Sequence, residues 1–298
     1  MQIVAAAKRP VLISNHVRHE ACKLVKYCSR DCQIAHRPQH KRVCKKRVAE
    51  LHDEKLFKQP PPEEDCPICM IRLPALPTGS TYMVCCGKIV CSGCIHTFQL
   101  RSKGPTLCPF CRTPAHKSDE ELLKRFENRV KLNDAAAIID LGTFYDHGRH
   151  GLPQSRAKAL ELWHQAGKFG HADANCYIAS AYMTGDGLER DEKKALHYYK
   201  LAALGGHSMS RHNLGSIEGR VGNHDRALKH YMIAVKGGNP DSLESIKGML
   251  YRGHASKDDY ANALRSYQAY VDEIKNDQRD VAAAARDDGL SYYGSAAV

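Results

Sequence analysis

Eight of the thirteen cysteines in this 298-residue chain fall in one short block, from Cys66 to Cys111. They form four pairs: three have the Cys-x2-Cys spacing, and the fourth is the adjacent pair Cys85-Cys86. A Cys-x2-Cys turn directs two thiolates at one metal ion, and zinc takes four such ligands in a tetrahedron. A block this small cannot bury a sufficient apolar core, so metal ligation has to replace one. The block therefore predicts a domain that is held together by two zinc ions.

The block resembles a RING finger through "CPIC" (66–69), "CCGKIVCSGCI" (85–95) and "CPFCR" (108–112). The resemblance implies a small α+β fold over residues 66–114 and crosswise ligation. In that scheme the first and third pairs hold one zinc, and the second and fourth pairs hold the other. The implied ligands are Cys66, Cys69, Cys85, Cys86, Cys91, Cys94, Cys108 and Cys111.

The middle pair departs from the usual RING pattern, Cys-x-His-x2-Cys, because Lys88 stands where the His is expected. A protonated Lys cannot ligate zinc. Either Cys86 ligates without a proper partner, or Cys85 and Cys86 both ligate. We favour the second interpretation, because an unligated Cys85 would be exposed to oxidation and because Gly87 can supply the necessary turn. Lys88 would then offset thiolate charge nearby.

The RING resemblance also implies a partner. RING fingers recruit a ubiquitin-conjugating enzyme and hold its ubiquitin thioester in a reactive pose; their contribution is positioning, without a catalytic nucleophile or base. Three contact positions of the family are matched here. Ile68 lies between the first two ligands, Pro109 follows the seventh, and Arg112 follows the eighth. We expect these residues to bind the ubiquitin-conjugating enzyme or ubiquitin, with no catalytic residue in the chain itself.

The segment "ACKLVKYCSRDCQIAHRPQHKRVC" (21–44) resembles the second half of a MYND finger, a protein-binding zinc module. Half of the ligands of a complete finger are absent from it. Two donor sets can each complete one tetrahedral zinc site. The first is His19, Cys22, His40 and Cys44; the second is Cys28, Cys32, His40 and Cys44.

The N-terminal region is strongly basic. Residues 1–50 carry 12 Lys and Arg against three Asp and Glu, in a chain with a net charge of +11. The run "HKRVCKKR" (40–47) is typical of nuclear-import signals and nucleic-acid patches. No aromatic residues alternate with these charges as in a single-strand binding surface, so nucleic acid is not a favoured partner. A basic face of the finger is the simpler interpretation.

Two observations bear on location. No run of about 18 apolar residues suggests a membrane span, and "MQIVAAAKRPVLISN" lacks the apolar core of a signal peptide. We therefore expect an intracellular protein, cytoplasmic or nuclear, without a membrane partner, in which the thiols are reduced and free for metal.

From residue 134 the chain repeats with a period of 36 residues. "LGTFYDHGRHGLPQSRAKALELWHQAGKFGHADA" (141–174) matches "IASAYMTGDGLERDEKKALHYYKLAALGGHSMS" (178–210), and two more degenerate units follow. A period in the thirties with small residues at fixed places is typical of a helix-pair solenoid. The pattern resembles Sel-one-like repeats, relatives of the tetratricopeptide repeat. This resemblance implies about four helix pairs over residues 134–276 that bind proteins.

The predicted fold class is thus multi-domain: a zinc-stapled α+β RING finger, then an all-α solenoid, with a short zinc-finger-like N-terminal segment. The predicted segments are a partial MYND-like finger (1–49), a Pro-rich linker (50–65), the RING-type finger (66–114), a connecting helix (115–133), the repeats (134–276) and a tail (277–298). The predicted function is that of a RING-type ubiquitin ligase whose repeats bind protein substrates. The alternative is a non-catalytic scaffold in which fingers and repeats all bind proteins.

Overall fold

The computed structural model describes residues 3–4, 17–18, 26–27, 30–60, 64–75, 79–102 and 106–285; within 30–40, only the side chains of Ile34 and His36 are described. The chain divides into two compact units, residues 1–58 and 59–298.

The described part of the first unit is a small sheet followed by one long helix. Its strands are β1 (Ile3–Val4), β2 (Val17–Arg18) and β3 (Lys26–Tyr27); β3 pairs in parallel with β1 and antiparallel with β2. The helix α1 (Arg30–Leu56) carries the basic run. It reaches into the range predicted as linker and ends at Leu56, four residues before Pro60.

The second unit begins with the cysteine block. Strands β4 (Ser80–Met83) and β5 (Lys88–Cys91) form an antiparallel hairpin with Thr81 opposite Val90, and helix α2 (Ser92–Arg101) follows at once. The hairpin turn closes where the Gly87 N–H donates to the Met83 carbonyl at 2.8 Å. Gly87 has a φ of 69°, a conformation that strains any residue with a Cβ. A small core around Leu73 and Val90 includes the buried Cys66, Cys91 and Cys94.

Ten helices of the described chain follow, and eight of them form four consecutive pairs, α4–α5 to α10–α11. The ten are α3 (Asp119–Lys131), α4 (Ala135–His147), α5 (Arg156–Lys168), α6 (Ala172–Thr184), α7 (Glu192–Leu204), α8 (Ser208–Arg220), α9 (His224–Lys236), α10 (Pro240–Tyr251), α11 (Lys257–Ile274) and α12 (Asp277–Ala284).

Local sequence explains where the helices begin and end. Asp134, Ser155 and Asp191 each accept a hydrogen bond from the backbone N–H three residues later, which caps the first turn. Gly148 and Gly185 end α4 and α6 in the left-handed conformation. Alanines at the repeat positions are fully buried and let neighbouring helices approach closely, so the predicted helix-pair solenoid is confirmed.

The first turn of α3 carries a shifted form of the capping box. Ser118 caps the helix by accepting a hydrogen bond from the Glu121 N–H at 3.2 Å. The Glu121 carboxylate, however, accepts from the N–H of Lys117, one residue before the cap. The reciprocal bond therefore shifts by one residue, while the cap itself is retained.

The cysteine block packs against the beginning of the repeat array. Tyr82 and Val84 of the hairpin pack on Leu122 and Phe126 of α3. The Tyr82 hydroxyl donates to the Asp134 carboxylate at 2.7 Å, and the guanidinium of Arg129 donates to the same carboxylate.

The block also packs against the end of the array. The Ala75 N–H donates to the Tyr270 hydroxyl at 2.7 Å, and Arg72 forms an ion pair with Glu273 at 2.6 Å. The helix α12 then lies on α2, where Gly93 approaches the backbone of Arg279. The first part of the predicted tail, residues 277–284, is thus helical, and residues 286–298 lie outside the described chain.

In the part of the chain that the structure describes, no helix is both long and apolar enough to cross a membrane.

The carboxylate of Asp134 has two functions, as the cap of α4 and as acceptor for Tyr82 and Arg129. We expect Asp134→Ala to lower the free energy of unfolding by about 2–4 kcal/mol, because a cap, a partly buried hydroxyl and a partly buried cation all lose their partner. Urea denaturation measures this loss. Asp191→Ala is the matched control: it removes a cap of the same type outside the interface with the block, and should cost about 1 kcal/mol. Equal losses for the two variants would contradict the network.

Candidate metal centre

The structure gathers the eight block cysteines into two clusters of four, each with its sulfurs within 4.8 Å of one another. The first cluster contains Cys66, Cys69, Cys91 and Cys94. Cys66 and Cys69 lie on one turn, Cys91 ends β5, and Cys94 lies in the first turn of α2. The Sγ atoms of Cys66 and Cys94 are 3.9 Å apart, and those of Cys69 and Cys91 are 3.8 Å apart.

The second cluster contains Cys85, Cys86, Cys108 and Cys111. The adjacent pair lies in the hairpin turn, and both of its sulfurs face the turn that carries Cys108 and Cys111. The Cys86 and Cys108 sulfurs are 3.9 Å apart, and those of Cys85 and Cys111 are 3.4 Å apart. The Lys88 side chain is exposed, whereas its backbone N–H donates to the Cys86 sulfur. The first cysteine pair therefore lies with the third, and the second pair lies with the fourth. Both members of the adjacent pair, Cys85 and Cys86, face the same cluster centre.

The donor set fits zinc. Four sulfurs around a zinc ion at about 2.3 Å lie about 3.8 Å apart along the edges of a tetrahedron, close to the distances observed here. A disulfide would bring two sulfurs to about 2.05 Å, so none joins the cysteines of the clusters. Four thiolates without nitrogen or oxygen donors are typical of structural zinc sites. The chain thus has a zinc-binding cysteine-rich region.

The local pKa values show why a cation belongs in each cluster. Burial raises the pKa of Cys94 to about 12 and that of Cys86 to about 11. A hydrogen bond with Cys91 lowers the pKa of Cys66 to about 4. Without a cation, the surroundings thus favour the thiolate of Cys66 and the neutral thiols of Cys86 and Cys94. A bound metal reverses this relation, since it favours the thiolate of every ligand.

The Cys-x2-Cys turns at residues 66–69 and 108–111 are near copies of each other. In the first, the Met70 N–H donates to the Cys66 carbonyl at 2.9 Å; in the second, the Arg112 N–H donates to the Cys108 carbonyl at 3.0 Å. Met70 and Arg112, which follow the last cysteine of each turn, both have the left-handed conformation, with φ of 55° and 63°. Each residue of one turn therefore has an equivalent in the other.

The three predicted partner-binding residues line one shallow groove on the finger. Ile68 is 41% exposed, and the Arg112 guanidinium lies over the Phe98 ring, 4.4 Å from its centre. The groove is lined by Ile68, Cys94, Thr97, Phe98, Arg101, Pro109, Arg112 and Gln278. An apolar floor with two guanidinium groups at its edge suits a partner that presents an apolar side chain beside acceptor oxygens.

Sequence reasoning missed the contributions of α2 and α12 to this groove. Thr97, Phe98 and Arg101 lie on one face of α2, so their helical spacing after the third cysteine pair was the available signal. Gln278 had no such signal, because it reaches the groove only through the docking of α12.

The N-terminal donor residues cannot be placed together. His19, Cys22 and Cys28 lie outside the described residues, and the side chains of Cys32 and His40 are not described. Cys32, His40 and Cys44 all lie along α1, where Cys44 is partly exposed. Both predicted donor sets therefore stay predictions.

Crosswise cysteine pairs on a hairpin, a helix and two matching turns resemble the arrangement expected of a RING finger, and helix-pair repeats follow them. The Sel1 repeat family model matches residues 135–171 and 172–207, and the MYND finger model matches residues 14–44, which confirms the predicted resemblance to both.

Curated relatives include two kinds of protein. E3 ubiquitin-protein ligase DA2 of Arabidopsis thaliana is 34% identical over 140 residues, 46% of this chain and 31% of that protein. Chitin synthase regulatory factor 4 of Schizosaccharomyces pombe is 27% identical over 125 residues, 42% of this chain and 20% of that protein. The match to this chain thus spans less than a third of either relative.

Among solved structures, a Sel1 repeat protein from Oxalobacter formigenes resembles this chain with a TM-score of 0.45. It is 23% identical, and the match covers 52% of this chain and 64% of that one.

The adjacent pair allows a sharp test. We expect Cys85→Ser and Cys86→Ser each to remove about one zinc equivalent, because either change leaves three thiolates in the second cluster. Metal analysis by atomic emission on purified protein measures the zinc content. Cys176→Ser is the control, since Cys176 lies on α6 outside both clusters. Full zinc content in either block variant would show that the adjacent pair does not act as two ligands.

Proposed function

We propose that this chain is a RING-type ubiquitin ligase that binds two zinc ions in the cysteine block. Cys66, Cys69, Cys91 and Cys94 are the ligands at the first site, and Cys85, Cys86, Cys108 and Cys111 are those at the second. The zinc ions fix the shape of the finger and take no part in bond making. The finger docks a ubiquitin-conjugating enzyme, and the repeats bind the protein to be modified.

The observation that carries this proposal is the groove itself. Ile68 and Pro109 come from the two separate Cys-x2-Cys turns, yet crosswise pairing brings them to one surface beside Arg112. A partner that inserts an apolar side chain there would contact both zinc turns at once. Such a surface works by holding a reactive thioester and its acceptor in a productive geometry, which alone can supply a large rate enhancement.

Arg112 has a distinct place in the proposal. Its stacking on Phe98 holds the guanidinium at the edge of the groove, with donors free for carbonyl oxygens of ubiquitin and its carrier. Its left-handed backbone is a conformation that glycine would adopt at lower cost, by about 1–2 kcal/mol. The side chain is therefore not explained by backbone preference, which favours a binding function.

The repeats support the substrate half of the proposal. Sel1 repeats are helix pairs that stack into an extended surface, and such surfaces suit protein partners. Exposed apolar side chains on the array, Tyr177 on α6, Met209 on α8 and Tyr251 on α10, offer contact points.

A second candidate function is a scaffold without ligase activity. The similarity to a chitin synthase regulatory factor favours it, because that name describes regulation and not ubiquitin transfer. In that case finger, groove and repeats would all bind proteins, and the groove would have no thioester to hold.

A ubiquitination assay separates the two functions. We expect the purified chain, with ubiquitin, activating enzyme, ATP and a panel of ubiquitin-conjugating enzymes, to form ubiquitin chains. Ile68→Ala should lower the rate at least about tenfold, because the groove loses its exposed apolar contact. Phe110→Ala is the matched control, since Phe110 is the equivalent exposed residue of the other turn and does not line the groove.

Arg112→Gly adds a control against misfolding. It should raise or preserve thermal stability, because it relieves the left-handed backbone, yet it should abolish chain formation. Loss of activity without loss of stability would then exclude misfolding as its cause. Zinc-loaded protein that forms no chains with any enzyme of the panel would contradict the ligase proposal and leave the scaffold.

A further inference from the structure

A buried arginine from the last described helix lies against the first cysteine cluster. Arg279 of α12 has no exposed surface. Its Nη1 donates to the carbonyls of Ile274 at 2.7 Å and Arg72 at 2.8 Å, and its Nη2 donates to the carbonyl of Ile71 at 3.2 Å. Nη2 also lies 3.9 Å from the Sγ atom of Cys69, and the guanidinium hydrogen-bonds Cys91.

The charge of Arg279 lacks a conventional partner. Within the described chain, no carboxylate forms an ion pair or a hydrogen bond with it, and its Nε atom is buried without a hydrogen-bond partner. An arginine stays protonated in proteins, and a buried charge without a counter-charge is strongly unfavourable. Among the described residues, the groups in contact with the guanidinium that can carry negative charge are the sulfurs of Cys69 and Cys91. Four thiolates around one Zn²⁺ keep a net negative charge, which a neighbouring cation offsets.

Two further contacts show that α12 is fitted to this site. A Cβ atom at Gly93, between two of the cluster cysteines, would fall 2.7 Å from the Arg279 backbone nitrogen. Gly93 lies inside α2 without a positive φ, so the approach of α12, and not a turn, explains the missing side chain. The side-chain amide of Gln278 lies 3.8 Å from the Sγ atom of Cys94 and can turn its NH₂ group toward a thiolate.

We infer that α12 completes the first zinc site, with Arg279 as the positioning residue that offsets the charge of the Cys69 and Cys91 thiolates and fixes the turn that carries Cys66 and Cys69. This inference rests on the proposed zinc at that site. Docking of α12 and binding of zinc then stabilise each other, because each favours the same arrangement. The end of the repeat array thereby controls how firmly the finger holds one of its two zinc ions.

Zinc release from the full chain tests the inference. Excess chromogenic chelator reports each zinc equivalent as it leaves. Arg279→Met keeps much of the side-chain length without its charge or donors. For this variant we expect one zinc equivalent of the finger to be released about 10- to 100-fold faster than from the wild type. The other equivalent should leave at the wild-type rate. Arg265→Met is the control, because Arg265 is an exposed arginine of α11.

Two further measurements separate charge compensation from simple packing. Gly93→Ala should accelerate release of the same zinc equivalent, since the added methyl group displaces α12. Gly219→Ala, whose Cβ has room in α8, should leave zinc release unchanged. In cobalt-substituted protein, Arg279→Met should move a thiolate-to-cobalt charge-transfer band to longer wavelength, because the sulfurs lose a stabilising donor. Arg279→Lys, which keeps the charge, should move it less.

Wild-type release rates and unchanged cobalt spectra for Arg279→Met would overturn the inference, as would equal acceleration of both equivalents. A wild-type finger without zinc would overturn it together with the proposed metal sites. Altered zinc release in a chain that forms no ubiquitin chains would support the inference and contradict only the ligase function.

Discussion

Two groups of four cysteine sulfurs, each packed within 4.8 Å, are the constraint on which the second unit depends. Thiolates at such distances repel one another, and neutral thiols in the same place gain little from being together. A divalent cation resolves both problems, because it favours the charged form of every ligand and joins two separate chain segments at each centre. The crosswise order of the pairs then ties the first turn to α2 and the hairpin to the second turn.

The finger packs against both ends of the repeat array. It contacts α3 and α4 through Tyr82, and α11 and α12 through Tyr270 and Arg279. A finger held at both ends of the array has few ways to move relative to it. On the proposed function, this fixes the distance between a substrate bound to the repeats and a thioester held at the groove, and positioning of that kind is the whole contribution of such a protein to the reaction.

Local patterns in the sequence were sufficient for the finger and the repeats. The resemblance to a RING finger implies which cysteine pairs share a metal, and the ligand count favours joint use of Cys85 and Cys86 over a damaged site, in agreement with where their sulfurs lie. The repeat period and its small residues predict the helix pairs. In each case the informative residues are close in sequence, or the same pattern recurs, so short-range rules apply.

The contacts between finger and array could not be found in that way. Arg279 lies 210 positions from Cys69, in an Ala-rich, charged segment that resembles a fraying terminal helix when it is considered alone. Asp134 looks like an ordinary helix cap, and nothing nearby shows that Tyr82 also donates to it. Gly93 looks like a flexible residue between two ligands, and only the approach of α12 shows why it has no side chain. These residues are explained by tertiary contacts, to which local periodicity and capping rules are blind.

Hydrogen–deuterium exchange on the full chain, with zinc bound and after its removal by chelator, tests most directly whether the metal sites hold finger and array together. We expect zinc removal to increase exchange in β5 and α2 and equally in α12, while α7, in the middle of the array, keeps its protection. Loss of protection in β5 and α2 with unchanged exchange in α12 would contradict it, because the last helix would then dock on the finger independently of the metal.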